Sequence, residues 1–471
     1  MKTTYQTENF LLRNPFSIRI YHEFAKKTPV IDYHCHLKPN EIYNNRKYAN
    51  LTELWLQKDH YKWRLMRANG IPEKCISGNA SDKEKFLAWV ETIERAPGNP
   101  LFQWSHMELE MYFGINLSIN KKNAELIWEK ANAQLGKLGY GARDFIHQSN
   151  VHLIGTTDNP LSSLEYHQKL AQESAKVFTV VPTLRLDNFF EISDNNFFAD
   201  IYQLSGFRCE SLENYLAFVG KRIHFFLKNG CRSADLGLVH TNWQAITTNP
   251  ASTYTKMRKG KEVNQIEKQD LNTYLLIEIM KMIYQVDWVL QLHIGAAASV
   301  NQEAVKRLGK GTGFDSIIDQ GNLASSLLYL FNEVNNQHSL PKVILYNIDG
   351  TKNVVLESIM ACFQDNEAGI KGKIQHGPAW WFQDTLRGNR RQLADLAEQG
   401  ILMNFIGMTT DSRSFLSYAR HDYFRRILCD CLGNWIEAGE VPDDDDFIQE
   451  FIESIAYRNA LDYFNFSLVK Q

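Results

Sequence analysis

Residues 28–39, "TPVIDYHCHLKP", decide the fold. An apolar, β-branched run reads as a buried strand and closes on two histidines one residue apart. In an extended chain alternate side chains share a face, so His34 and His36 project together with Asp32, while Tyr33 and Cys35 face the other way. Two imidazoles on one face can hold one metal ion. A His-x-His pair taken alone is more often a hydrogen-bonded strand end, so the rest of the chain has to decide between the two.

Seven further short runs, each closing on polar or glycine residues, follow "VIDYHCHL" (30–37): "VHLIGTTDNP" (151–160), "FTVVPTLRLD" (178–187), "RSADLGLV" (232–239), "WVLQLHIGA" (288–296), "KVILYNIDG" (342–350), "KIQHGPAWWF" (373–382) and "GILMNFIGMTTD" (400–411). Between them lie segments with helical spacing, among them 163–176, 272–285, 324–337 and 390–400, the last ending in a glycine that suits a helix C-terminus. Alternation of this kind argues for a parallel sheet, and eight repeats argue for an α/β fold closed as a (β/α)8 TIM-type barrel. The fourth and seventh runs are weak strands by propensity. One connection, 38–150, is far too long for a βα loop and carries apolar residues at three- and four-residue spacing in "DKEKFLAWVETIERA", "PLFQWSHMELEMYFG" and "NAELIWEKANAQLGKLG". It is expected to be a large helical insertion after strand 1, lying over the barrel mouth as a lid within one domain spanning 1–471.

Bulk properties exclude several classes. A hydrophobic content of 44% and a charged content of 22% over 471 residues are those of a globular protein, and no run approaches the ~18 apolar residues of a membrane span. The N-terminal residues show neither an apolar core nor a small-residue cleavage site of a secretory signal, so a cytoplasmic location is expected. Seven scattered cysteines without finger spacing read as reduced thiols. The net charge of −3 leaves no basic stripe, so neither nucleic acid nor membrane is an expected partner.

Active sites of such barrels sit at the C-terminal ends of the strands. Those ends carry His34, His36, Asp158, Arg185, Asp235, His293, Asp349, Trp380, Trp381 and Asp411. Of these, His34, His36, His293 and Asp411 make a plausible mononuclear set, since imidazole with carboxylate suits zinc and similar cations. Arg413 stands where the eighth run hands over to its helix, suited to receive a substrate carboxylate or else to pair with Asp411 or Asp422. Arg185 has the same two readings. His60 and Tyr61, adjacent in the insertion, could deliver a donor and a phenol to the rim. Trp380 and Trp381 are either a sugar-stacking floor or ordinary core.

The stretches "IDYHCHL", "DHYKWRLMRANG", "GNASDKEKFLAW", "IGTTDNP", "QLHIGA", "GFDSIID", "LPKVILY", "WWF" and above all "GMTTDSRSFLSYARHDYFRRILC" resemble uronate isomerase, a divergent branch of the amidohydrolase superfamily, over nearly the whole chain. The resemblance implies a distorted (β/α)8 barrel that interconverts D-glucuronate with D-fructuronate and D-galacturonate with D-tagaturonate through a cis-enediol. It places His34, His36, His293 and Asp411 at metal-ligand positions, with a divalent cation, zinc by donor type, that need not be essential. Arg185, Arg413 and Trp381 fall at substrate-contacting positions. Asp411, Tyr61, His60 and Arg413 fall at catalytic ones. A hexuronate is the expected small-molecule partner, and assembly as a homo-oligomer is allowed.

The chain also departs from the family pattern. Ala298 stands near a family arginine, "IDGTKN" around Thr351 replaces an Asn-Pro-Arg-Asp, and Leu236 stands where a family histidine follows Asp235. These changes leave open a different sugar acid as substrate. The alternative chemistry is mononuclear metal-dependent hydrolysis; a lysine in "RSADLGLV" and a histidine in "VILYNIDG", which a binuclear hydrolase would use, are both lacking. A third class, a sugar-acid sensor without catalysis, is disfavoured by the His60–Tyr61 pair and Asp411.

Overall fold

The computed structural model describes residues 7–57, 59–174, 177–366 and 369–468, so the final residues of the helix expected over 163–176 lie outside it. The strands are β1 (Val30–Asp32), β2 (Val151–Asp158), β3 (Thr179–Arg185), β4 (Ser233–Leu238), β5 (Val289–Ile294), β6 (Ala296–Ala297), β7 (Ser316–Ile317), β8 (Lys342–Asn347) and β9 (Ile374–His376). Seven of them form one parallel sheet in the order β1-β2-β3-β4-β5-β8-β9, and β6 pairs with β7 as a separate antiparallel hairpin. Every residue of β5 and β8 is buried, as expected for parallel strands covered on both faces. Both weak runs form strands: β4 pairs with β5 along its whole length, whereas β9 keeps only three residues.

The first run is shorter than its apolar pattern. Its ladder with β2 ends at Asp32, so His34 and His36 stand beyond the strand end. The chain there passes close over β2 at Gly155, where a Cβ would lie 2.3 Å from the Tyr33 carbonyl oxygen. Cys35 N donates to Gly155 O at 2.8 Å, so the passage is hydrogen-bonded as well as close.

The eighth run is not a strand. A 3-10 turn occupies Leu402–Asn404, and the chain after it forms no ladder with β9. Its backbone groups bond instead to side chains: Gln375 Nε2 donates to Asn404 O, Asn459 Nδ2 to Met403 O and Phe405 O, and Tyr33 Oη to Gly407 O. Gly407 explains the break. It adopts φ +81°, and a Cβ there would stand 2.1 Å from Ile455 O, so the C-terminal helical layer presses where a regular strand would need a side chain. The barrel is thus a curled, parallel seven-stranded sheet whose eighth position is filled by an irregular segment.

Residues 38–150 are helical, with Leu51–Leu56, His60–Ala68, Asp82–Glu94, Pro100–Phe113 and Ala124–Leu135 as the main elements. Local signals set their ends. Ser81 and Glu84 form a capping box before Asp82, and Asn99 caps a helix that starts on Pro100 and stops at Gly114, φ +61°. Trp55 stacks on Phe86, and Trp104 meets Tyr423 edge-on, so the insertion shares a core with β1, β2 and the C-terminal helices. A second core lies around β3, β4, β5 and β8 and the helices outside them.

Candidate active site

The mouth of the sheet gathers the expected ligands from three places in the chain. His34 and His36 leave the end of β1, and His293 comes from β5. Asp411 lies in the eighth segment, in the left-handed region at φ +45°. Asp411 Oδ1 is 3.0 Å from His36 Nε2 and 3.5 Å from His34 Nε2, and its Oδ2 accepts from Trp380 Nε1 at 2.8 Å. The His34 and His293 rings have centroids 4.8 Å apart, and Tyr346 stacks on His293 at 4.3 Å with the planes 5° apart. His34 is the shared member: it neighbours His36 and Asp411 and, by its ring, His293.

The donor set fits a cation. His34 Nδ1, His293 Nε2 and Asp235 Oδ1 are buried without a hydrogen-bond partner, a costly state unless something else satisfies them. Ligand atoms of His34, His36 and Asp411 lie within 4.8 Å of one another, and so do those of His34, Asp235 and His293. Asp235 was not among the ligands expected from sequence; only its place at the end of the fourth run hinted at it. Electrostatics suit ligation too. Burial alone would raise the Asp411 carboxyl, yet hydrogen bonds with His34 and His36 hold it well below the usual range. Burial pushes His36 down to about 4, and burial together with the charge of His34 holds His293 well below the usual imidazole range. His34 goes the other way: burial opposes its charge, but the bond to Asp411 together with the charges of Asp411 and Asp235 outweighs it. Burial likewise lifts Asp235 to about 6, against the pull of Arg185.

His60 and Tyr61 open the helix His60–Ala68, capped by Asp59, which accepts from Tyr61 N and Lys62 N. Arg64 and Arg67 of that helix donate to the carbonyls of Asp315 and Thr312 beside β7, which fixes the helix against the rim. His60 and Tyr61 stack at 4.7 Å, and each meets the edge of Trp381 at 5.5 Å. Tyr61, Trp380, Trp381 and Asp411 line one cavity of about 270 Å³ with Leu101 and Trp104 of the insertion. Burial raises Tyr61 well above 10 and lowers His60, which the charge of Arg413 lowers further, so at neutral pH the phenol is protonated and the imidazole neutral.

The two arginines separate. Arg413 is exposed and makes no hydrogen bond or ion pair among the described residues, and Asp422, one of its two expected partners, is taken by Arg426 and Tyr21. Arg185 is tied to Asp187 at 3.0 Å and stands 3.6 Å from Asp235. Trp380 is not ordinary core, since its indole N–H is spent on Asp411. Two rim carboxylates serve structure instead. Asp158 accepts from Thr156 Oγ1 near His167, and Asp349 caps the turn Gly350–Lys352 through Thr351. Of the departures from the family pattern, Ala298 and Thr351 are exposed and Leu236 is buried in β4.

The sequence matches the model of the glucuronate isomerase family over residues 1–464. The uronate isomerase of Bacillus pumilus is 43% identical over 468 residues, covering 98% of this chain and 97% of the relative. That of Caldicellulosiruptor saccharolyticus is 45% identical over 466 residues, covering 98% and 99%. A crystal structure of the uronate isomerase of Thermotoga maritima superposes with a TM-score of 0.90 at 30% identity, covering 98% of this chain and 99% of that one. The glucuronate isomerase of Caulobacter crescentus, at 22% identity and a TM-score of 0.88 over 98% and 97% of the two chains, shares the fold.

Proposed function

The chain belongs to the glucuronate isomerase family, and on that premise we propose how its rim residues interconvert D-glucuronate with D-fructuronate and D-galacturonate with D-tagaturonate. The reaction is an aldose–ketose isomerisation: the hemiacetal opens, the C2 proton leaves to give a cis-enediol, and a proton returns to C1. A divalent cation, zinc by the character of its donors, would be held by His34, His36, His293 and Asp411, and when bound it supplies Lewis acidity toward the sugar's oxygens.

The protein groups divide the rest. Asp411, ionised, is the base of the site. Tyr61, protonated, and His60, neutral, move protons among the sugar oxygens. Arg413, a guanidinium without a partner among the described residues, receives the substrate carboxylate or the negative charge of the enediolate. Arg185 and Trp381 bound the sugar on either side, and residues 38–150, which bring His60 and Tyr61 to the mouth, act as the lid over it. The observation that carries this reading is an ionised Asp411 in contact with His34 and His36, with the His293 ring beside His34 and Arg413 unpaired among the described residues.

Incubation with glucuronate and with galacturonate in D₂O, followed by NMR, tests it. Deuterium is expected at C1 of the ketose or C2 of the aldose with wild type and not with Asp411→Asn. If neither sugar reacts, with or without added zinc or manganese, the hexuronate assignment falls, and Ala298, Thr351 and Leu236 point to another sugar acid.

A further inference from the structure

Asp32, the last residue of β1, is fully buried and does not join the histidines that follow it. Its carboxylate crosses to the eighth segment. Oδ1 accepts from Thr410 N at 2.7 Å and stands 2.7 Å from Thr409 Oγ1, and Oδ2 accepts from Thr410 Oγ1 at 2.7 Å. Thr409 Oγ1 in turn accepts from His34 N at 2.9 Å and lies 2.7 Å from His34 O, so its one proton serves either that carbonyl or Asp32. Two main-chain bonds continue the seam: Asp411 N donates to His34 O at 3.1 Å, and His36 N to Ser412 O at 2.8 Å. Arg420 Nη1 caps Thr410 O from the other side at 3.0 Å.

We propose that Asp32 is a positioning residue for the reaction: its carboxylate, through Thr409 and Thr410, replaces the missing β-ladder at the eighth position and sets the distance between Asp411 and the His34–His36 pair. Three observations converge on this. The segment that carries Asp411 has no strand partner of its own, so nothing regular fixes its register. Asp411 holds a left-handed backbone, which for a non-glycine residue costs roughly 1 kcal/mol or more and persists only where its surroundings over-determine it. The bonds from Asp32 fall on the residues immediately before that strained position, and a carboxylate is the one short side chain that accepts from an N–H and a hydroxyl together while donating nothing.

The inference rests on the reading of His34, His36, His293 and Asp411 as one cation-binding centre, and the test keeps the two apart. Thr410→Val removes one donor to Asp32 at nearly constant volume, Thr410→Ser keeps it, and Asp32→Asn removes the charge. Binding of Zn²⁺ and Co²⁺ to the metal-free protein, measured by competition with a chromophoric chelator, is expected to weaken on the order of 10–100-fold in Thr410→Val and Asp32→Asn. It should return to within about twofold of wild type in Thr410→Ser. On the hexuronate kcat should fall in parallel while KM stays within a few-fold, a split that loss of fold would not give, since unfolding lowers the amount of active enzyme and not the affinity of what remains. Should Asp32→Asn fail to fold, the Thr410 pair decides alone. Unchanged metal affinity and kcat in folded Thr410→Val overturns the proposal. If wild type itself neither isomerises a hexuronate nor binds either ion, the functional reading fails separately. The positioning role is then judged by a crystal structure of Thr410→Val, which supports it if Asp411 has moved away from His34 and His36 and refutes it if those distances are kept.

Discussion

Single side chains at this rim are distinguished by what they lack. Arg413 has no partner among the described residues, whereas Arg185 is already tied to Asp187 and approached by Asp235, so the two guanidinium groups are not equivalent receptors. Arg413→Lys keeps the charge but loses the planar fork that meets a carboxylate with two parallel bonds. We expect kcat/KM to fall by about 100-fold, roughly 2.7 kcal/mol of transition-state stabilisation, in a continuous assay of ketouronate formation; a change under threefold would remove Arg413 from the substrate. Asp384 gives a pH prediction. Burial lifts its carboxyl to about 6, against the pull of Arg420 and a hydrogen bond from Asn389. An unfolded aspartate titrates near about 3.9. Between those values the folded protein binds more protons than the unfolded chain, so the contribution of Asp384 to stability declines as pH rises through the window and is constant above it. Asp384→Asn lacks this titration. Its stability relative to wild type should therefore improve from pH 4 to pH 6 by on the order of 2 kcal/mol and then level off, as read from urea unfolding midpoints. A difference that is flat across the window would show that Asp384 is ionised throughout.

The elements that the pattern of apolar runs made legible are those whose stability is local or ladder-based. β5 and β8 match their runs because each is buried on both faces, β2 because most of it is, and the insertion's helices begin and end on Ser81, Asn99 and Gly114 as cap chemistry dictates. His34, His36 and His293 were legible because they close such runs. The eighth run was not. Its residues alternate well enough for a strand, but the decisive constraint is the Ile455 carbonyl pressed against Gly407, a contact between distant parts of the chain that no window of sequence contains. Asp235 was legible as a rim residue and not as a neighbour of His34, because which of several rim carboxylates points inward depends on where Arg185 and the β3–β4 register put it. The same contact yields a prediction. Gly407→Ala imposes a Cβ 2.1 Å from a backbone oxygen at φ +81°, whereas Gly70→Ala, at φ +74°, meets nothing within 4 Å. The second change should cost about 1 kcal/mol, the left-handed penalty alone, and the first at least about 3 kcal/mol, because backbone must move. Thermal midpoints at one scan rate compare them, and equal losses would mean that the C-terminal layer yields freely at Ile455.

Across the whole molecule the candidate cation ligands come from strand ends backed by two different cores. The end of β1 and the eighth segment belong to the core shared with the insertion and the C-terminal helices, while the helices behind β4 and β5, which carry Asp235 and His293, pack into the other. A sheet of seven strands with an irregular eighth segment closes by side-chain bonds rather than by a continuous ladder, so an ion gripping His34, His36, Asp411 and His293 would join both halves at the mouth. Binding to the folded state alone stabilises it by RT ln(1 + [L]/Kd), about 2.7 kcal/mol at a hundredfold excess over Kd. Stripping the protein with a chelator should therefore lower its thermal midpoint, and returning zinc or manganese should restore it in a concentration-dependent way. His293→Ala should abolish most of that shift, because it removes the one histidine contributed by β5 and leaves the ion on the end of β1 and the eighth segment. The variant's own midpoint without metal is the control: burial holds His293 neutral, so its removal costs packing against Tyr346 and no ion pair. A metal-dependent shift that survives intact in His293→Ala would place the ion on His34, His36 and Asp411 alone, and the two halves would then have to be joined at the mouth by Trp380, whose indole donates to Asp411 while its ring meets His293 at 4.9 Å.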